Sequence, residues 1–207
     1  HYFNKAPLKL RLSNPNYNLS PTQNTMILHM VDGEPRFEEM NWQLIPRWEP
    51  AFTTKFLTIN AKCETVFENI LYKRLIARQR CIVPLSGFFE WRREENGKRP
   101  FKIHLQDHSI MSVAGLWDTW GAAGTEQRLS FTILTTSANE SIREIHDRMP
   151  VVLGKEEVEE WLNPEVHEQE RLKKLLEPCP NSWLTTEEIS TLVNSTENNS
   201  PEVLLSI

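Results

Sequence analysis

The sequence predicts an α+β fold. Three observations predict it. Runs of β-branched and aromatic residues of strand length crowd the middle of the chain, an Asn96-Gly97 pair separates two of them, and helical apolar spacing is confined to the flanks. The 207 residues are enough for one domain with a sizeable core. The balance of 39% apolar to 25% charged residues is that of an ordinary globular chain, which excludes wholesale disorder. Thirteen Pro against seven Gly excludes collagen-like and Gly-rich linker classes.

The elements follow in order. Residues 25–31 form an apolar, partly β-branched strand. Residues 36–46 form a second, stopped by Pro46. Residues 56–60 form a short strand leading into Ala61-Lys62-Cys63-Glu64-Thr65. Residues 66–78 place Ile70, Leu71, Leu75 and Ile76 at helical spacing. Residues 81–83 are a short strand. Residues 87–93 and 99–105 flank Asn96-Gly97 as a hairpin. Residues 110–117 and 129–135 are further strands, and residues 139–145 a short helix capped by Ser137 or Asn139. Beyond Gly154, residues 155–162 and 165–176 read as acidic helices and residues 184–189 as a return to the sheet. The polar stretch 194–200 reads as mobile. The organisation expected is a single domain over 1–207: core motifs in 17–153, an acidic helical part in 154–193, and a polar tail in 194–207.

The net charge of −5 argues against a nucleic-acid partner until it is divided. Residues 1–153 carry a net +3 and residues 154–207 a net −8, while residues 73–102 alone carry +6. A basic patch on an acidic chain describes this better than an acidic protein. The longest apolar runs are too short to span a bilayer, so no membrane partner is expected. Cys63, Cys81 and Cys179 show neither disulfide nor zinc-ligand spacing, which suits a reducing cytoplasm. No metal or cofactor motif is present.

Four places could carry chemistry. In Phe88-Phe89-Glu90-Trp91, strand alternation puts Glu90 among aromatics, where desolvation would raise its pKa toward general acid/base range. The alternative is a solvated Glu90 paired with Arg92 or Lys102. His146, beside Asp147 and ahead of a Pro turn, is either a proton-transfer group or a side chain satisfying a carbonyl. Asn60 and Lys62 follow a strand, where an amide can hold a reacting group and a cation a phosphate; ordinary turn chemistry explains them equally. Trp48, between Arg47 and Glu49, suits stacking on an unpaired base, whereas Trp42 suits the core.

Read together, these segments resemble the SOS response-associated peptidase family, SRAP, which includes abasic-site processing proteins. The matching residues are Tyr17-Asn18-Leu19-Ser20-Pro21, Trp42 to Trp48, Ile59-Asn60-Ala61-Lys62-Cys63-Glu64-Thr65, Gly87-Phe88-Phe89-Glu90-Trp91, Ser130 to Thr136, and Ile145-His146-Asp147-Arg148-Met149-Pro150. The resemblance implies a bifurcated, barrel-like, mostly antiparallel β-sheet with flanking helices. It implies a protein of the DNA-damage response that captures abasic sites in single-stranded DNA. The nucleophile would be a Cys exposed by self-removal of the initiator Met, lying upstream of His1. Only a terminal Cys offers a free amine and a thiol on adjacent carbons, the pair needed to close a thiazolidine on the sugar aldehyde.

By the same resemblance, Glu90 is the acid/base, His146 assists proton transfer, and Asn60 positions the terminal Cys or the sugar. Lys62, Thr135 and Arg148 hold phosphates, and Trp48 lies along the DNA path. Lys62 stands where the family usually has Arg, and Gln43 where it usually has Gly. Two other functions remain open at this point: a thiol peptidase acting on peptides, and a non-catalytic single-strand-binding module.

Overall fold

The computed structural model describes residues 15–122 and 124–207. Strands β1 (Asn24–Val31) and β2 (Glu34–Trp42) pair antiparallel through Asp32-Gly33, both with positive φ, 52° and 81°. A two-residue turn of this kind matches the twist of its strands. It also explains why β2 starts two residues earlier than alternation suggested. Strand β3 (Asn60–Lys62) is followed by helix α1 (Lys73–Arg78), β4 (Arg80–Leu85), β5 (Phe88–Glu94), β6 (Gly97–Leu105), β7 (Met111–Trp120) and β8 (Arg128–Ser137). Then come β9 (Arg148–Pro150), β10 (Val152–Leu153), α2 (Lys155–Leu162), α3 (Gln169–Leu175) and β11 (Leu184–Glu188).

The main sheet closes on itself. β1 pairs with β2 and β4, β4 with β7, and β7 with β8; β8 returns to β2 in parallel at Asn41↔Ser130 and Trp42↔Phe131. The result is a five-stranded mixed barrel, with β3 and β9 added along β8 and β10 along β7. A second sheet has the order β11-β6-β5. The fold is therefore the α+β, barrel-like architecture expected, with a second sheet beside it.

Both faces of the barrel strands are covered. Leu28, Ile82, Leu116 and Leu134 pack with Trp161, Leu172 and Leu175 of the helices; Ile27, Val83, Phe131 and Ile133 form a second cluster with Met111 and Met149. Strands buried on both faces read as near-continuous apolar runs, which is how β4 and β8 read. The acidic C-terminal helices are thus core elements whose charges face outward. Arg80, 5% exposed, joins them to the barrel. Its guanidinium donates to the carbonyls of Ile76, Ala77, Trp161 and Asn163, closing the open ends of α1 and α2.

Four expectations need correction. The strand expected over 56–60 lies instead at Asn60–Lys62, where the chain pairs with β8. The helix over 66–78 is only Lys73–Arg78, because the Asn69 side chain accepts the Leu71 N–H at 2.9 Å and competes with the helical pattern; Ile70 is left exposed. Residues 139–145 form hydrogen-bonded turns rather than a helix. The Asn139 amide donates to the Cys179 carbonyl instead of capping. The polar stretch 194–200 is tied down. The Asn18 amide donates to the carbonyls of Val193, Ser195 and Asn198, while Asn199 accepts from the backbone of Tyr17 and Asn18. None of the described helices is long and apolar enough to cross a membrane.

Candidate active site

β5 presents two different faces. Phe89 and Trp91 pack on Ile189, Val193 and Val203 of the C-terminal turns, and the Trp91 indole donates to Asn194 Oδ1 at 2.7 Å. Phe88 joins the barrel cluster from the other face, the one that carries Glu90. The residue opposite Glu90 in register is the buried Phe101, whose side chain projects to the same side. Gly87 lets β5 start this close to β6: a Cβ there would meet the Ile103 carbonyl oxygen at 2.7 Å.

Burial pushes the Glu90 carboxyl above its ordinary range; His146 opposes the rise and Asp147 adds to it. Arg92 is engaged with Glu94 at 2.9 Å and Lys102 with Glu187 at 3.7 Å, so neither is the partner sequence reading offered Glu90. The group facing it is His146, whose Nδ1 lies 3.7 Å from Glu90 Oε1 and 3.5 Å from Asp147 Oδ1. The same Nδ1 is 3.1 Å from both the amide nitrogen and the carbonyl oxygen of Arg148. Neutral His146 can accept the Arg148 N–H, and protonated His146 can donate to the carbonyl or to a carboxylate. Each protonation state has a partner, which suits a group that passes protons.

The remaining residues line one edge of the barrel. β3 runs parallel to β8 in the register Asn60↔Ile133, Ala61↔Leu134, Lys62↔Thr135. Ala61 is buried, and alternation puts Asn60 and Lys62 together on the exposed side. β9 flanks β8 on the other side, with Ser137↔Arg148 and Thr135↔Pro150. Arg148 donates from Nη2 to the Thr135 carbonyl at 2.5 Å and to its hydroxyl at 3.3 Å. It grips Glu64 with Nη1 at 2.5 Å and Nη2 at 2.9 Å. Thr135 and Arg148 therefore meet, as do Glu90 and His146. Glu64, which stood in a matching segment without a role, is the residue sequence reading missed.

Trp48 lies in the connection between β2 and β3, 58% exposed, while Trp42 donates its indole N–H to Ile59 O and packs inward. An open hollow of about 790 Å³ is lined by Arg47, Glu49, Trp120 and Gln127, and Trp48 is not part of its wall. The three thiols are kept protonated by burial. Cys63 is pushed up to about 12, Cys179 to about 11, and Cys81 higher still. Among the described residues no group of three or more His, Cys, Asp or Glu could hold a metal.

The family model described as SOS response associated peptidase (SRAP) matches residues 3–196. The chain belongs to the SRAP family. Among SRAP relatives, the abasic site processing protein YoqW of Bacillus subtilis (strain 168) is 36% identical over 191 residues, spanning 92% of this chain and 85% of that protein. The abasic site processing protein HMCES of Xenopus tropicalis is 34% identical over 225 residues, 93% of this chain and 66% of its own length. A crystal structure of a Bacteroides thetaiotaomicron protein superposes with a TM-score of 0.79 at 31% identity, covering 90% of this chain and 82% of that one.

Proposed function

We propose that this SRAP protein acts on abasic sites in single-stranded DNA and captures them covalently through an N-terminal cysteine ahead of His1. The observation that carries the reading is the Glu90–His146 pair, a carboxyl raised by burial 3.7 Å from an imidazole with a partner in either protonation state. Arg148, two residues on from His146, reaches Glu64, which follows the exposed strand bearing Asn60 and Lys62. The names of the relatives supply the substrate class.

The chemistry follows from those groups. The ring-opened abasic sugar presents an aldehyde. The terminal amine adds to its carbon, and the carbinolamine loses water to give an imine. Glu90, whose carboxyl burial pushes above its ordinary range, delivers the proton that lets hydroxide leave as water. The cysteine thiol then adds across the C=N bond. A C–S bond forms, the thiol proton ends on nitrogen, and a five-membered thiazolidine results. An α-amine titrates near 7.7–8.0, so an appreciable fraction is a free nucleophile at neutral pH. The internal thiols lack both a free amine and an accessible thiolate, which counts against a peptidase built on Cys63, Cys81 or Cys179. His146 relays protons, Asn60 positions the sugar or the terminal residue, and Lys62, Thr135 and Arg148 form the phosphate-binding edge. Trp48 extends the strand path.

Full-length protein starting at Met, incubated with an abasic single-stranded oligonucleotide, should give a shifted band on a denaturing gel. A correctly processed N-terminus with no shifted band overturns the proposal.

A further inference from the structure

Arg148 is the guanidinium assigned above to a backbone phosphate, yet the parallel pair of N–H donors that would grip one is filled. Glu64 occupies it bidentately, at 2.5 Å and 2.9 Å. Carboxylate and phosphate present the same pair of oxygens to such a fork. The two partners differ in freedom. Arg148 is 21% exposed and fixed a second time by Thr135 O; Glu64 is 52% exposed, just beyond β3. The carboxylate is the partner able to leave, with exposed Lys62 two residues before it.

We infer that Glu64 is a built-in phosphate mimic, occupying the Arg148 seat when DNA is absent and displaced by an incoming phosphodiester. The choice of phosphodiester rests on the function proposed above; the choice of seat rests on the geometry alone. Glu64 is held below the usual carboxylate range, first by its bond from Arg148, so it stays ionised at neutral pH and must be displaced by a competing anion. It acts through Arg148 as a positioning residue. It keeps the guanidinium oriented in the free protein and sets a threshold against weak or single anions. Because one anion replaces another, this contact adds little net counterion release in the native protein.

Glu64→Gln keeps the side-chain size and one acceptor oxygen but removes the charge. Its binding to unmodified oligothymidylate should be about three- to tenfold tighter, with a log–log salt slope steeper by about 0.7 for one single-strand phosphate contact. Inorganic phosphate should shift the Arg148 guanidinium ¹⁵N signals at lower concentration in the variant than in the native protein. Glu68→Gln removes an equal charge four residues along and should change neither the Arg148 signals nor the slope. If Glu64→Gln fails to fold, Glu64→Asp, one methylene shorter, should move the same readouts in the same direction by less.

Unchanged affinity and slope in Glu64→Gln, with Arg148 signals as insensitive to phosphate as in the native protein, overturn the inference. If crosslinking to abasic DNA is normal alongside that result, the proposed function stands and the mimic falls. If neither protein binds oligonucleotide while Arg148 of the variant takes up phosphate, the mimic stands and the DNA reading falls.

Discussion

Two carboxylates in different sheets of the molecule are treated in opposite ways. Asp118 on β7 has a side chain only 3% exposed and is fully partnered. It accepts from Arg47 at 3.2 Å, Arg74 at 2.9 Å, Gln79 at 3.2 Å and the Thr119 N–H at 2.9 Å. Glu90 on β5 is 23% exposed and faces an imidazole at 3.7 Å, beyond ordinary hydrogen-bond reach. Asp118 ties the β2–β3 connection, α1 and β7 together. Glu90 is left short of donors, so burial dominates its titration. A buried charge that is fully bonded holds a structure, and one kept underbonded is available for proton transfer.

The comparison can be broken at several points. Glu90→Gln should lower the crosslinking rate by about 10²- to 10⁴-fold, the range for loss of a positioned acid/base, while Tm at pH 7 does not fall. Single-turnover gels and a thermal melt test both halves; normal crosslinking by the variant would remove Glu90 from the chemistry. Asp118→Ala should do the reverse. It leaves the Gln79 amide and the Thr119 N–H without their acceptor beside a cavity, while Arg47 and Arg74, each about half exposed, turn to water; it should cost about 1–3 kcal/mol, read as a Tm drop of roughly 5 °C in calorimetry. A drop of only a degree or two would mean that Asp118 is not the tie described.

The pH dependence sharpens the contrast. Glu90 titrates higher in the folded than in the unfolded chain, where Glu ionises at about 4.3. The folded state therefore holds this proton more tightly. The stability it adds is present below about pH 4.3 and is lost as pH rises through the folded value. The Tm of the native protein, relative to Glu90→Gln, should fall over that interval. A constant difference would show that Glu90 is not desolvated. The smallest effect expected is for Trp91→Phe, which removes the bond to Asn194 but keeps most of the packing. It should cost about 1 kcal/mol, or a few degrees in Tm.

How much was legible depended on how local each signal was. The β5–β6 hairpin followed from Asn96-Gly97, although the turn itself is Glu95-Asn96 and Gly97 opens β6, and strand alternation put Glu90 among aromatics, where Phe88 and Phe101 are found on its face. The Asp32-Gly33 turn was equally local and was passed over, which displaced the start of β2. The helix over 66–78 failed because Asn69 bonds its own backbone, a competition apolar spacing does not register. The tail failed because its partner, Asn18, is about 175 residues away along the chain.

The sequence by itself determined the strand-rich α+β class, the position of the basic segment, the family, and the residue types gathered at the candidate site. These depend on side-chain periodicity, turn chemistry and motif order, all written along the chain. Tertiary structure alone decided the partners. It closed the barrel by pairing β2 with β8, placed His146 rather than Arg92 or Lys102 against Glu90, and set Glu64 into the fork of Arg148. Each of these joins segments tens of residues apart, and what a charge does in a protein depends on which groups the fold brings within a few ångströms of it.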